Sequence, residues 1–289
     1  MTTIRPYTAA LIAAVGTLLP TVAVSAQQAT NQASATQPGK GVWVFRERLA
    51  YMRFENAPDD GGGTQDVDQF SAESILAYGI TGDLAVMAHL PAKVRWFTRG
   101  RDSALGDRRD VDGGLADWTL MGQWRFLRVD RVGIDTARYA MQFGVEGPSY
   151  NEALSSESFD PFIGLSTTHI VGRHGFGGGV RYKFNTDSVP NPVEIGDGGD
   201  GYLTADLSYL YRLSPEAYGS EPEGSTYAQI ELNARYEVDG DRQNLIAPGL
   251  LYEAPTWAAE ISVQVPIDQR TTDTADLRVS VVAGVRLLF

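Results

Sequence analysis

Charged side chains recur at every second residue along several segments of this sequence. Lys93 and Arg95, for example, are separated by Val94. Because neighbouring side chains of a β-strand point to opposite faces, this spacing predicts strands whose ionic groups share one face. Such a face can filter or bind small solutes by charge. The residues predicted to lie on it are His89, Lys93, Arg95, Asp117, Arg125, Arg138, Arg181, Lys183, Asp206, Glu231, Arg235, Glu260, Arg278 and Arg286.

Residues for nucleophilic or metal chemistry are few. A hydrolase needs a Ser or Asp nucleophile with a positioned His, and His89, His169 and His174 each lie outside any motif of that kind. The chain has no Cys, which excludes disulfides, thiolate zinc sites and thiol nucleophiles. The acidic runs 59–63 and 197–200 lack the spacing of a calcium loop, so we expect solvated loops, with loose divalent-cation binding as the alternative. We predict no catalytic residue, no metal site and no cofactor.

The composition excludes several classes of protein. Of the 289 residues, 43% are hydrophobic and 10% aromatic, which is enough to bury a sizeable surface and argues against disorder. The formal net charge of −12 repels phosphate and argues against a nucleic-acid partner. Only the N-terminus approaches the roughly 18 consecutive apolar residues of a transmembrane helix. For the Gly-rich segment 175–179 we expect strand curvature or packing of a neighbouring aromatic residue.

The N-terminus has the features of an export signal. Arg5 gives a short positive region, residues 8–20 are apolar, and small residues precede a cleavage site after Ala26. We therefore predict residues 1–26 to be a signal peptide, and because no Cys follows, lipoprotein anchoring is excluded. Residues 27–40 are rich in Gln, Ala, Thr and Ser without periodicity. This pattern predicts a flexible periplasmic segment, too short for a plug domain.

From residue 41 onward, apolar and polar residues alternate. In the last segment every second residue from Leu277 to Phe289 is uncharged, whereas Arg278 and Arg286 lie on the other face. Alternation over about ten residues predicts antiparallel strands, and we expect about twelve of them, within a range of ten to fourteen. The predicted strands are 41–56, 69–81, 84–97, 114–127, 134–146, 161–171, 175–186, 201–213, 225–238, 242–253, 256–266 and 274–289.

The uncharged face of these strands can be assigned physically. In a soluble β-sandwich it would pack in a core, whereas in a membrane barrel it contacts lipid and the ionic face lines the lumen. The export signal, the length of the segments and the aromatic residues near their ends favour lipid. We therefore predict an all-β protein in which residues 41–289 form a single antiparallel transmembrane β-barrel, with short periplasmic turns and long extracellular loops.

The C-terminus gives a further indication of location. Val285, Leu287 and Phe289 alternate and end in an aromatic residue, which is similar to the sorting signal that the barrel-insertion machinery reads on outer-membrane barrels. We expect the outer membrane of a double-membraned bacterium as the location. The expected partners are outer-membrane lipid and lipopolysaccharide, the insertion machinery and a small-molecule solute.

Two segments resemble a known family. Residues 78–91, from Tyr-Gly-Ile-Thr-Gly-Asp-Leu to a Leu-Pro pair, are similar to the strand, short turn and strand of the outer-membrane transporters named for the meta-pathway of phenol degradation. Residues 113–126 resemble the Gly-x-Gly-Asp element of that family, although Ala116 replaces its usual Gly and Gln123 stands where Lys is common. The resemblance covers residues 41–289. It implies transport of small, often hydrophobic or aromatic molecules, with no site residues to carry over.

The mixed charges of the lumen leave several functions open. About twelve strands enclose more space than their side chains fill, which predicts a narrow channel that filters solutes by charge and size. The first alternative is a closed structural or adhesive barrel filled by salt bridges, because unpaired buried charges are costly. The second is an outer-membrane hydrolase that depends on His89. We predict a non-enzymatic channel or transporter for passive passage of small solutes.

Overall fold

A computed structural model describes residues 28–59, 62–99, 109–131, 134–186, 189, 191–198, 201–218 and 224–289. The predicted signal peptide and the cleavage site after Ala26 lie outside these residues. None of the described residues forms a helix that is long and apolar enough to cross a membrane. The strands are β1 (Trp43–Pro58), β2 (Thr64–Gly79), β3 (Leu84–Arg99), β4 (Arg109–Leu115), β5 (Trp118–Asp130), β6 (Thr136–Gly147), β7 (Asp160–Val171), β8 (His174–Lys183), β9 (Tyr202–Ser214), β10 (Ser225–Glu237), β11 (Arg242–Glu253), β12 (Trp257–Arg270) and β13 (Asp276–Leu288).

The strands close into a barrel. Neighbouring strands are antiparallel, and β1 pairs with both β2 and β13, which joins the two ends of the sheet. β4 and β5 share one position in the wall, because β3 pairs with β5 along residues 84–89 and with β4 along residues 92–98. The barrel therefore has twelve strands, as the alternation predicts. Closure satisfies the requirement that no strand edge be left unpaired in lipid.

The chain starts and ends the barrel at the same rim. Trp43 and Phe289 exchange two main-chain hydrogen bonds there, of 2.8 and 3.0 Å. The turn 80–83 at this rim is short, which is typical of the periplasmic side. The opposite rim, which we assign as extracellular, has the long connections 148–159 and 184–201.

The wall has an apolar outer surface and a polar inner surface. In the periplasmic half of β13, Val285 and Leu287 are exposed outward, whereas Arg286 between them is buried inside. In the same way Leu120 of β5 is exposed, and Gln123 of the same strand is buried. The outward side chains form the surface that acyl chains contact in an outer-membrane barrel.

The extracellular half of β13 departs from the predicted alternation. The pairing of β13 with β1 shifts register between Val279 and Leu277. As a result Leu277, which we predicted on the lipid face, is 2% exposed inside the barrel. Arg278 points outward with its side chain 61% exposed and contacts Glu55 at 3.2 Å. The assignment of Arg278 to the lumen is therefore wrong, because an irregularity in the ladder inverts the two faces beyond it.

Residues 28–40 lie inside the barrel, where the sequence predicts a flexible periplasmic segment. Thr30, Ala35 and Thr36 are buried in the lumen. The segment reaches the periplasmic rim beside Gly79, whose carbonyl accepts a hydrogen bond from the amide of Gly41 at 2.8 Å. Its polar side chains, which gave no pattern along the sequence, make hydrogen bonds to a polar wall instead of to water. We call residues 28–40 the N-terminal insert.

Two extracellular connections also fold into the lumen. Leu154 of the first and Val193 of the second are buried. Val193 belongs to an apolar cluster near the extracellular rim that is otherwise formed by strand and loop residues, namely Phe54, Ala57, Val67, Phe97, Leu245, Ala275 and Leu277. We call residues 149–158 and 191–198 the loop insert. The two inserts enter the lumen from opposite rims.

Candidate functional site

A cavity of about 610 Å³ lies in the barrel lumen beside the N-terminal insert. We call it the chamber. Side chains of β1, β2 and β3 line one side, and side chains of β8, β9 and β10 line the other. In the strand order these two groups lie across the barrel from each other. The lining combines ionic, hydroxyl and apolar groups, as is typical of sites that hold small molecules.

Three residues form a cluster of one ion pair and one hydrogen bond on the β1 to β3 side of the chamber. Arg48 lies directly opposite Glu73 on the neighbouring strand, and its guanidinium group pairs with the Glu73 carboxylate. Nδ1 of His89 lies 3.0 Å from Oε1 of the same carboxylate. The predicted lumen residue His89 thus lines the chamber, together with two residues that were not predicted.

The β8 to β10 side presents two arginines in one row. Thr204 of β9 is directly paired with Arg181 of β8 on one side and with Arg235 of β10 on the other. Nearer the periplasm, the carboxylate of Asp206 accepts a hydrogen bond from Nδ2 of Asn233 at 2.8 Å. All five residues line the chamber, so the structure brings together the predicted Arg181, Asp206 and Arg235.

An apolar row crosses the chamber wall near the periplasmic rim. Its members are direct neighbours on successive strands, so their side chains stand at one level of the barrel. All of them line the chamber. The apolar row consists of Leu288, Val44, Ala77, Met87 and Met121.

The N-terminal insert is held by hydrogen bonds to the strands. Glu231 accepts two of them from Asn31, one from the main-chain amide and one from Nδ2, both at 3.0 Å. Arg46 donates to the Thr30 carbonyl at 2.9 Å, while its Nε contacts Glu260 at 2.9 Å. The predicted lumen residues Glu231 and Glu260 therefore position this segment.

Two glycines make room for the N-terminal insert. A Cβ atom at Gly79 would lie 2.0 Å from the carbonyl oxygen of Gly39. A Cβ atom at Gly177 would lie 2.8 Å from Nε2 of Gln32 and 2.4 Å from Oγ of Ser208. At Gly177 the reason for glycine is thus the close approach of another segment, which differs from the strand curvature or aromatic packing that we expected.

The loop insert is held by ion pairs. Glu194 contacts Lys93 and lies 2.7 Å from a guanidinium nitrogen of Arg95, which is 1% exposed. Gln69 donates a further hydrogen bond to Glu194 at 3.2 Å. Burial raises the pKa of the Glu194 carboxyl, but the attraction of Lys93 and Arg95 outweighs burial and holds this pKa well below its usual range.

Two more predicted residues bind the inserted extracellular loops. Lys183 contacts Glu146 at 2.6 Å and Asp197 at 2.8 Å, which ties the end of β8 to the loop that follows it. Asp117, between β4 and β5, accepts a hydrogen bond from the main-chain amide of Ser156 at 2.6 Å. Both residues therefore hold the inserted loops in place in the extracellular half of the lumen.

The remaining predicted cations lie near the periplasmic rim. Arg125 contacts Asp83 at 3.0 Å, and Arg286 contacts Glu253 at 2.6 Å. Arg138 donates from Nε to Oγ1 of Thr136 at 3.2 Å and contacts no described carboxylate. Of these three cations only Arg286 lines the chamber.

The sequence missed Arg46 and Arg48 because β1 alternates poorly. Glu47 lies on the outer face of this strand, where Oγ of Ser74 donates a hydrogen bond to its carboxylate at 2.6 Å. Because this charged residue lies on the lipid-facing side, the alternation of apolar and polar residues along β1 is interrupted. The spacing of Arg46 and Arg48, with exposed Leu49 beside them, was the signal that could have identified them.

The three histidines occupy different positions. His89 lies in the lumen, and its Nε2 has no hydrogen-bond partner within the described part of the chain. His169 stacks edge-on against Tyr139, with ring centroids 5.2 Å apart. His174 at the periplasmic start of β8 lies 2.9 Å from the hydroxyl of Tyr209. The structure does not bring the histidines together.

Comparison with known proteins relates the fold to outer-membrane channels. No protein family matches the sequence. No curated protein matches it either. The crystal structure of an outer-membrane channel from Pseudomonas putida F1 is similar with a TM-score of 0.59 at 11% identity, covering 90% of this chain and 100% of that chain.

Two other solved structures have lower scores. The translocator domain of the autotransporter NalP from Neisseria meningitidis gives a TM-score of 0.47 at 11% identity, over 87% of this chain and 90% of that chain. The toluene transporter TbuX from Ralstonia pickettii gives a TM-score of 0.42 at 10% identity, over 87% of this chain and 90% of that chain.

The wall and the comparison together define the class of protein. The sheet is closed, its outer surface is apolar, and its fold is similar to that of a bacterial outer-membrane channel. The chain has the fold of an outer-membrane β-barrel, as the sequence predicts.

Proposed function

We propose that this protein is a passive channel for small solutes. The chamber is the observation that carries this proposal. It extends through the lumen to the periplasmic rim, where Tyr218 and Pro255 line it. A barrel whose only role is mechanical needs no cavity of about 610 Å³, because a lumen filled by side chains would have more packing contacts.

The lining supports small solutes with an apolar part. The apolar row gives one side of the chamber a surface on which a ring or alkyl group can pack, and Met87 and Met121 supply sulfur atoms that contact aromatic rings favourably. This agrees with the resemblance to the phenol meta-pathway transporters, which implies hydrophobic or aromatic solutes.

Enzymatic activity is not part of the proposal. His89 directs Nδ1 to Glu73, and no serine, threonine or tyrosine hydroxyl of the described chain hydrogen-bonds to its Nε2. A nucleophile and its base need such a contact. The geometry therefore supports a histidine that is hydrogen-bonded to a carboxylate rather than one that activates a nucleophile.

We further infer that Val285, Leu287 and Phe289 are the sorting signal. All three side chains are exposed on the outer surface at the periplasmic rim, the rim at which insertion machinery in the periplasm can reach them. The apolar outer surface supports contact with outer-membrane lipid, and the extracellular rim is the place for contact with lipopolysaccharide.

Conductance in a planar bilayer tests the proposal. We expect the refolded protein to give small, discrete conductance steps, and liposomes that contain it to take up a neutral small solute. A variant that lacks residues 28–37 should give larger steps. If both proteins leave the bilayer silent and the liposomes impermeable, the protein is a closed structural barrel.

A further inference from the structure

Arg181 and Arg235 differ from the other arginines of the chamber. Arg46, Arg48 and Arg286 each contact a carboxylate, namely Glu260, Glu73 and Glu253 in that order. Arg181 and Arg235 make no hydrogen bond or ion pair with any described residue. The carboxylate of Asp206 on the same wall is not within ion-pair distance of either arginine. It accepts a hydrogen bond from Asn233 instead.

The two free guanidinium groups stand on either side of a hydroxyl. Arg181, Thr204 and Arg235 occupy one level of three adjacent strands, and all three line the chamber. Adjacent strands are about 4.8 Å apart, so the two arginine Cα atoms are separated by roughly 10 Å. Arginine side chains are long enough to meet at an anion held in front of Thr204.

The guanidinium group of Arg181 packs against an aromatic ring of the neighbouring strand. Its guanidinium carbon lies 5.2 Å from the ring centroid of Phe162, a buried residue of β7. A cation over an aromatic ring is attracted to the face of that ring, while its N–H donors lie along the edge of the guanidinium plane. Phe162 therefore orients Arg181 without using the donors that an anion requires.

The same chamber contains the apolar row on the other side of the lumen. A solute that passes through the chamber meets both surfaces in turn, so an anionic end and an apolar body each find a matching surface. A carboxylate matches the planar, bidentate donor geometry of arginine. The apolar row matches a ring or a short alkyl chain.

We propose that Arg181, Thr204 and Arg235 form a binding site for the carboxylate group of small amphipathic carboxylates, such as aromatic acids, whose hydrocarbon part contacts the apolar row at another stage of passage. The proposal rests on the proposed channel function, because it names the class of solute that the channel selects. The carboxylate exchanges its water shell for charge-assisted hydrogen bonds from both arginines and for a hydrogen bond from Thr204.

Calorimetric titration of the refolded full-length protein with benzoate tests the site. Benzamide, which has the same shape without the charge, is the matched ligand. We expect benzoate to bind at least about tenfold more tightly than benzamide. Arg181→Gln and Arg235→Gln should each weaken benzoate binding about tenfold or more, and should leave benzamide binding unchanged. Arg138→Gln, an inward arginine outside the chamber, is the control and should bind benzoate normally.

The results separate this proposal from the channel function. Equal binding of benzoate and benzamide, or variants at Arg181 and Arg235 that keep wild-type benzoate affinity, would overturn the carboxylate site. Chloride or inorganic phosphate that competes with benzoate at equal concentration would overturn it too, since the site would then bind any anion. If liposomes take up benzamide while benzoate fails to bind, the channel function stands and the site is wrong. If benzoate binds but no solute crosses, the channel function is wrong.

Discussion

The two inserts occupy opposite ends of the lumen and are held by different interactions. Glu194 of the loop insert contacts both Lys93 and Arg95, so its withdrawal would leave two cations without their carboxylate. Asn31 of the N-terminal insert donates uncharged amide groups to Glu231. A hydrogen bond from a neutral donor to a carboxylate contributes about 1.5–3 kcal/mol, less than the 3–5 kcal/mol that breaking a buried ion pair typically costs. This comparison indicates that the periplasmic side of the lumen opens more easily than the extracellular side.

Glu194→Gln should have the largest effect on stability. The substitution removes the charge that Lys93 and Arg95 share, and loss of one partner of a buried ion pair typically costs 3–5 kcal/mol. Because the Glu194 side chain is 22% exposed, we expect the free energy of unfolding to fall by about 3 kcal/mol at most. Urea unfolding of the refolded protein measures this loss.

Glu152→Gln is the control for that variant. Glu152 is an exposed carboxylate in the other inserted loop, so its substitution should leave the unfolding midpoint unchanged. If the two variants have the same midpoint, the ion pairs of Glu194 do not hold the loop insert.

Deletion of residues 28–37 should have a smaller effect on stability and a clear effect on conductance. The deletion removes the hydrogen bonds of this segment together with the entropy cost of ordering it on folding, about 1–2 kcal/mol per residue, and the two changes partly cancel. We expect conductance steps to grow severalfold while the free energy of unfolding changes less than in Glu194→Gln. A deletion variant with wild-type conductance would show that the N-terminal insert does not limit passage.

Gly79→Ala tests the contact between the N-terminal insert and the periplasmic rim by adding one methyl group. The added Cβ atom would collide with the carbonyl of Gly39, so the insert or the rim must shift. Overpacking of this kind typically costs about 1–3 kcal/mol, and we expect about 1–2 kcal/mol together with larger conductance steps. Gly82→Ala in the neighbouring turn, where a Cβ atom meets nothing within 4 Å, should behave as wild type. Equal behaviour of the two variants would contradict the contact at Gly79.

Thr168→Val removes a single anchor of the N-terminal insert. Oγ1 of Thr168 accepts a hydrogen bond from the amide of Ala35 at 3.1 Å and makes a second one with Oγ of Ser34 at 3.0 Å. We expect a loss of about 1–2 kcal/mol, because each hydrogen bond contributes about 1 kcal/mol. Thr119→Val, at an inward residue of β5 without such a bond, is the matched control. A loss as large as that of Glu194→Gln would reverse the comparison between the inserts.

A change of pH from 7.5 to 5 should leave the loop insert in place. The pKa of Glu194 is held below its usual range, so its contribution to stability is complete above the ordinary carboxyl pKa of about 4.3. It is lost only when the pH falls through the lower pKa of the folded protein. Hydrogen exchange of the main-chain amides of residues 191–198 should show constant protection across this range. A step change near pH 6 would show that another group holds the extracellular end.

The number of strands and most of their faces were predictable from the sequence. The side-chain period of a strand is two residues, and one face contacts lipid, so a charge on that face is costly. Periplasmic β13 is the clearest case, with Val285 and Leu287 outward and Arg286 inward. The prediction of the strand faces failed where a local feature interrupted the two-residue alternation. Glu47 concealed the faces of β1, and a register shift reversed those of Arg278 and Leu277.

The composition of the site was predictable only in part. Arg181, Asp206 and Arg235 were assigned to the lumen, but their grouping in one chamber depends on which strands are neighbours. Glu194 and the N-terminal insert were missed as lumen components. Neither lies in a segment with periodicity, so nothing in the sequence indicates their contacts.

The sequence by itself determined a closed β-barrel with an ionic interior, because alternation of side chains and the cost of charge in lipid act on every strand locally. The tertiary structure decided which cations are neutralised and which face open space. That outcome depends on where residues 28–40 and the extracellular loops enter the lumen. Their positions follow from contacts between residues that are distant in the sequence, such as Asn31 and Glu231, which are 200 positions apart. The local pattern of residues does not indicate such contacts.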